Sequence, residues 1–110
     1  SEIEKEYEMT LASLPAKDLE ERLATLERGP WLEDGKMLSP KLACLRRAGE
    51  RTTLNLTIHE GRNRIIRRAC MAVGLALISL HRTRVGPVTL GDLPEGEYRA
   101  LTPSELEALR

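Results

Sequence analysis

Phenylalanine is absent from these 110 residues, aromatic side chains make up only 3%, and there are two cysteines and a single tryptophan. Any core must therefore be aliphatic, and two cysteines make no disulfide framework. Cys44 and Cys70 stand at no metal-ligand spacing and read as reduced thiols of a cytoplasmic protein. His59 and His81 lack cysteine or carboxylate partners at ligand spacing, so neither a metal nor an organic cofactor is expected. No apolar run reaches the ~20 residues a spanning helix needs, and the first residues are acidic, unlike a signal sequence. Nucleophile elbows, phosphate-binding loops and dinucleotide fingerprints are missing as well, which sets aside hydrolase and nucleotide-cofactor chemistry.

Net charge is a further absence, since Lys+Arg and Asp+Glu each count 17. The distribution is uneven, however. Glu2, Glu4, Glu6, Glu8, Asp18, Glu20, Glu21 and Glu27 crowd the N-terminal third, while arginines dominate between Arg46 and Arg84, leaving one basic region in a neutral chain.

What is present suits one compact domain: 41% hydrophobic and 31% charged residues, at a length that supports one core. Ile3, Lys5, Tyr7, Met9 and Leu11 alternate with polar residues as in a half-buried strand. Ser13 as N-cap, Pro15 in the first turn, leucines at 19, 23 and 26 and Gly29 beyond the end predict a helix. Residues 31–37 read as a loop or short strand fragment between turns, with Trp31 as a packed loop anchor rather than a base-stacking platform. Two strands, 41–46 and 51–59, join through Ala48-Gly49-Glu50, with Leu54, Leu56 and Ile58 pointing inward. The period changes over residues 63–73, where Ile66, Ala69, Cys70 and Val73 share a helical face and Gly74 follows. Strand-like runs at 75–80, 85–90 and 98–101 come next, and Thr102, Pro103 and Glu105 open a final short helix. Strands interspersed with about three helices predict an α+β fold with a mixed, mainly antiparallel sheet.

The sharpest chemical feature is Glu60-Gly61-Arg62-Asn63-Arg64-Ile65-Ile66-Arg67-Arg68, a glycine turn feeding a helix whose start carries four arginines. Cations near a helix N-terminus oppose the macrodipole, and like charges three or four apart repel, each by a few tenths of a kcal/mol. A polyanion relieves both costs, because phosphates pair with guanidinium forks. Arg62, Asn63, Arg64 and Arg68 are thus candidate RNA contacts, and Arg82 and Arg84 extend the surface, as would Arg46, Arg47 and Arg51. The competing reading is that single arginines pair with the acidic N-terminal third or lie in water.

Taken in order, this segment, Ala72-Val73-Gly74, Leu80-His81-Arg82-Thr83-Arg84-Val85-Gly86-Pro87, Leu90-Gly91-Asp92-Leu93 and the run from Gly96 to Leu101 resemble the ribosomal-RNA pseudouridine synthases of the Rsu and Rlu type. Lys5-Glu6-Tyr7 is similar to that family's Lys-x-Tyr strand, and Leu32-Glu33-Asp34-Gly35-Lys36 to its Asp-Gly-Lys segment. The resemblance covers essentially the whole chain and implies that residues 1–110 are the C-terminal part of a catalytic domain. It also implies a uridine flipped out of ribosomal RNA and an aspartate that breaks the glycosidic bond before uracil rejoins the ribose through carbon 5. Tyr7 would stack on the base, Arg67 would pair with the aspartate, and Leu80 would line the uracil pocket. Ile65 stands where the family usually has Gln, and Arg64 where His is common.

The family's Gly-Arg-Leu-Asp or Gly-Arg-Thr-Asp motif is not in this sequence, and Asp18, Asp34 and Asp92 sit in cap or turn contexts. The chain alone is therefore expected to be inactive, with weak RNA affinity in the absence of the family's small N-terminal RNA-binding domain. A non-catalytic RNA-binding module of the same fold is the alternative. With no strand neighbour upstream, residues 3–11 are expected to form an exposed sheet edge that invites self-association without biological meaning.

Overall fold

A computed structural model describes residues 3–62 and 64–89. Strand β1 (Lys5–Ala12) leads into helix α1 (Ala16–Glu27), then a two-rung hairpin of β2 (Trp31–Leu32) and β3 (Gly35–Lys36). The strand pair β4 (Lys41–Ala48) and β5 (Arg51–Ile58), helix α2 (Ile65–Val73), and the pair β6 (Leu77–Val85) and β7 (Val88–Thr89) follow. The main sheet has the order β4-β5-β1-β6-β7, every neighbouring pair antiparallel. Helix α1 joins β1 to β4, two places away, and α2 joins β5 to β6 across β1, so the chain interleaves two split β-α-β units. This is the α+β architecture with a mainly antiparallel sheet that the sequence predicts, with two helices among the described residues. The strand over residues 98–101, the helix opened by Thr102, Asp92 and Asn63 lie outside the described residues.

Strand β1 is central, which corrects the expected exposed edge. Tyr7 pairs with Leu56 on one side and Arg82 on the other, and Met9 with Leu54 and Leu80. Its partners come later in the chain, so a search for an upstream neighbour misses them. That register sets the odd residues of β1 and the even residues of β5 on one face. Tyr7, Met9, Leu11, Leu54, Leu56, Ile58 and Leu80 accordingly meet Leu19 and Leu26 of α1 and Ile65, Ile66, Ala69 and Cys70 of α2 in one buried cluster. Each fully buried aliphatic side chain here contributes about 1.5–3 kcal/mol. The opposite face carries Glu6, Glu8 and Thr10 beside Thr57, Asn55 and Thr53, which have no place in a core.

Several element ends differ from expectation. Ser13 does not cap α1: its hydroxyl bonds to that of Thr52 at 3.1 Å and its N–H donates to the Glu50 carbonyl at 2.8 Å, so the helix begins after Pro15 without a side-chain cap. Gly29 is required where α1 turns into the hairpin, because a Cβ there would lie 2.2 Å from the Met37 carbonyl oxygen. Helix α2 starts at Ile65, two residues later than predicted, and closes on Gly74 at φ 80°. Leu75 N–H bonds to Cys70 O at 2.9 Å and Gly74 N–H to Met71 O at 3.3 Å, the paired closure that a left-handed glycine permits. Strand β6 does not break at residues 82–84 but runs through them, since β1 is long enough to pair with all nine residues' span. No described helix is long and apolar enough to cross a membrane.

Packing separates the two cysteines. Cys70 lies in the core with its thiol 3.6 Å from the Met9 sulfur, and burial pushes that thiol up to about 11 despite the opposing charge of Arg67. Cys44 is exposed. A thiol reagent at pH near 8 is expected to label one cysteine of the native chain quickly and the second only in denaturant. Rapid reaction of both would contradict this core.

Candidate functional site

The segment between β5 and α2 is built on an ion pair. Glu60 is 7% exposed, and one carboxylate oxygen accepts Arg62 Nε at 2.6 Å while the other accepts the Leu38 N–H at 2.6 Å. Arg62 then spends its remaining donors on the β2–β3 hairpin: Nη1 on Asp34 O, Asp34 Oδ1 and Gly35 O, each at 3.2 Å, and Nη2 on Lys36 O at 2.9 Å. Arg68, from the first turn of α2, grips Asp34 with both nitrogens at 2.9 and 3.1 Å. The Asp-Gly-Lys turn and the start of the arginine helix are thereby one rigid body, and charge-assisted forks of this kind are geometrically demanding.

Beside this clamp, a cleft of about 210 Å³ opens around Tyr7, lined also by Lys5, Glu60, Arg62, Arg64 and Arg82. Lys5 and Tyr7 are two apart on β1 and share its helix-side face. Arg82 joins them through an irregularity: Glu6 pairs with Arg84 but Tyr7 with Arg82, so Thr83 is an extra residue. Unbroken pairing would set Arg82 against Glu8, on the polar face; the bulge re-aims it into the cleft. The Nε of Arg82 is buried and has no hydrogen-bond partner among the described residues. Arg64, exposed at the mouth of α2, holds a left-handed backbone with φ 51° and ψ 33°. A non-glycine residue there costs of order 1–3 kcal/mol, and such strain concentrates at functional sites.

The remaining candidates are distributed differently from a single basic cluster. Arg62 and Arg68 are neutralised by Glu60 and Asp34, and Arg84 forms ion pairs with Glu4 and, at 3.5 Å, with Glu6. Arg46 likewise reaches Glu8 at 3.3 Å. Pairing with the acidic N-terminal third, the competing reading of single arginines, is what Arg46 and Arg84 show, whereas Arg62 and Arg68 pair with Glu60 and Asp34 outside it. Arg67 is half-buried in the first turn of α2 and is not among the residues lining the Tyr7 cleft. Leu80 is 3% exposed, packed in the core opposite Met9, and does not line the cleft either. Lys5 was named from the sequence only within the Lys-x-Tyr strand and given no role of its own, although its spacing of two from Tyr7 on an alternating strand carried the signal. Trp31 is not a packed anchor: it is 76% exposed, standing in β2 at the rim of an open groove against α2. No group of three His, Cys, Asp or Glu is arranged to hold a metal ion among the described residues.

Comparison with known proteins follows the same lines. The chain is 40% identical over 111 residues to ribosomal large subunit pseudouridine synthase B of Bacillus subtilis (strain 168), covering 99% of this chain and 44% of that protein. It is 41% identical over 107 residues to ribosomal small subunit pseudouridine synthase A of Escherichia coli (strain K12), covering 96% of this chain and 44% of that one. A crystal structure of a pseudouridylate synthase superposes with a TM-score of 0.68 at 35% identity, over 98% of this chain and 45% of that chain. No protein-family model matches. The chain therefore spans less than half the length of the relatives it matches.

Burial alone would raise the carboxyl of Glu60, but the hydrogen bonds from Arg62 and Leu38 and the charge of Arg62 outweigh it and hold the group below its ordinary 4.5. A lowered acid stabilises the fold fully above that value, and the contribution disappears as pH falls through the lower folded value. The melting temperature is expected to drop as pH falls below about 4.5. Glu60→Gln should cost about 1–3 kcal/mol at neutral pH and flatten that acid limb; an unchanged acid limb would remove Glu60 as its source.

Proposed function

This chain belongs to the RNA pseudouridine synthases of the Rsu and Rlu type, and from that membership we propose that the intact protein isomerises specific uridines of ribosomal RNA to pseudouridine. The observation that carries the reading is the Tyr7 cleft, an aromatic ring set among Lys5, Arg64 and Arg82 with a buried, unpartnered guanidinium nitrogen. Extruding a base from RNA costs a few kcal/mol of stacking, which a ring of this kind and cations for the flanking phosphates offset. Tyr7 stacks on the everted uracil. Arg82 and Arg64 take the RNA backbone, and Arg67, by the family's motif, holds the catalytic aspartate ionised. Residues 1–110 act as the C-terminal part of the catalytic domain. A role for Leu80 at the uracil rests on the motif alone.

Arg62, Arg68 and Arg84 serve this reading indirectly, since their charge is already committed to Glu60, Asp34 and Glu4. They fix the walls of the cleft. The nucleophile is not supplied by the described lining: Glu60 is the only carboxylate there, and both its oxygens are engaged. That favours, as a second reading, an RNA-binding module without chemistry, and it makes the 110-residue chain inactive by itself.

The test is mapping of pseudouridine in ribosomal RNA treated with the protein encoded by the complete reading frame. Site-specific conversion that Tyr7→Ala abolishes is the expected outcome, with no conversion by the 110-residue chain. Salt-sensitive RNA binding without conversion would install the module reading. Turnover by the short chain would sink the nucleophile assignment.

Strain and binding should separate at Arg64. Arg64→Gly is expected to stabilise the fold by about 1 kcal/mol, by relieving the left-handed backbone. The same change should weaken RNA binding and flatten its salt dependence by about 0.7 in log–log slope for one lost phosphate contact. Calorimetry and titration at several salt concentrations read the two effects; a loss of both stability and affinity would deny Arg64 its binding role.

A further inference from the structure

A second surface lies one helical turn beyond the cleft. Trp31, Leu32 and Glu33 of the hairpin face Arg68, Met71 and Ala72 of α2 across an open groove of about 290 Å³. Its two largest apolar members are left in water, Trp31 76% and Met71 81% exposed, the highest values among the exposed large apolar side chains of the described residues. The hairpin that carries Trp31 is fastened to the start of α2 through Asp34, which Arg62 and Arg68 both hold, so the backbone beneath the indole is fixed against the helix.

We infer that this groove is a stacking platform for a nucleotide of the RNA adjacent to the one held at Tyr7, with Trp31 against the face of its base and Met71 along its edge. The inference rests on the RNA reading of the cleft and extends it along α2. Arg64 lines the cleft, and Arg68, four residues further on the same helix, lines the groove, so one flank of α2 connects the two sites. Four residues rise about 6 Å along a helix. A backbone leaving the cleft at Arg64 therefore meets the groove within a short reach. Charge complementarity selects the occupant: Arg64, an exposed cation at the start of α2, opens the route, and Arg68, ion-paired to Asp34, continues it into the groove, against Glu33 at its far side. Apolar walls suit a base face rather than a phosphate, and bases stack on indole whatever their sequence. Relief of Arg68 is not required, because Asp34 already holds that guanidinium flat beside the groove.

Trp31 is the only tryptophan, so the chain reports on the groove by its own fluorescence. The 110-residue chain is titrated at low salt with a single-stranded RNA oligonucleotide containing uridine. Quenching of Trp31 that saturates with binding is expected, with Trp31→Ala weakening affinity roughly 5- to 150-fold and Trp31→Phe retaining most of it. Circular dichroism should be unchanged in both variants, since the side chain is 76% exposed. RNA binding that Arg64→Ala weakens but that neither quenches Trp31 nor responds to Trp31→Ala would remove the platform and leave the cleft intact. Absence of any RNA binding would remove both. Self-association that depends on Trp31, seen by sedimentation without RNA, would assign the groove to a protein partner and overturn the proposal.

Discussion

The buried pair of Glu60 and Arg62 is the constraint on which the site depends. Without Glu60, the guanidinium of Arg62 would have no anchor at its Nε, and the carbonyls of Asp34, Gly35 and Lys36 would lose the donors that hold the hairpin in place. Without the hairpin, Asp34 would not meet Arg68, and the repulsion between Arg64 and Arg68, four apart at the start of α2, would lose the carboxylate that offsets it. A single carboxylate thus sets the floor of the Tyr7 cleft, the pose of Trp31 and the electrostatics of the helix start. Both its oxygens accept hydrogen bonds at 2.6 Å, so each is committed to holding the clamp together.

The elements were largely legible because their periodicity is local. Alternation in residues 5–12 and 51–58, the aliphatic stripe of α1 and the glycine ending α2 all describe a chain's relation to its own neighbours. The position of β1 was not legible, because a strand's place in a sheet is decided by partners far along the chain, from Ala12 against Arg51 to Lys5 against Val85, beyond any window of periodicity. Helix caps failed for a related reason. Ser13 has the right chemistry to cap α1, but Thr52 and Glu50, brought alongside by β5, compete for it and win.

Motif resemblance and arginine spacing named residues that the structure divides between the Tyr7 cleft, ion pairs and the core. Six RNA contacts were expected from arginine and asparagine positions, yet Arg62, Arg68 and Arg84 each bind a carboxylate of this chain. Sequence shows the number of cations; it does not show which have an anion already beside them. The zero net charge is informative in this light. Acidic residues placed against Arg46, Arg62, Arg68 and Arg84 offset cations that tie the fold together, while Lys5, Arg64 and Arg82 meet at one opening beside Tyr7. A neutral chain with a focused basic cleft attracts a polyanion to one place rather than to its whole surface.

One inserted residue makes that focus possible. Arg82 and Arg84 stand two apart on β6 and by simple alternation would share a face, both serving the same partner. The bulge at Thr83 is held by its hydroxyl, which donates to the Glu6 carbonyl at 3.1 Å, and it divides the two arginines between opposite faces. Arg84 is sent to Glu4 and Glu6, where it ties β6 to the acidic start of β1. Arg82 is sent to the cleft that Tyr7 lines, where its Nε has no hydrogen-bond partner among the described residues. An unpaired buried donor on a permanent cation costs of order 1–3 kcal/mol or more, and the fold has a carboxylate-rich strand next door that would have removed the cost. That the register withholds Arg82 from those carboxylates is intelligible when the anion it meets arrives from outside the chain.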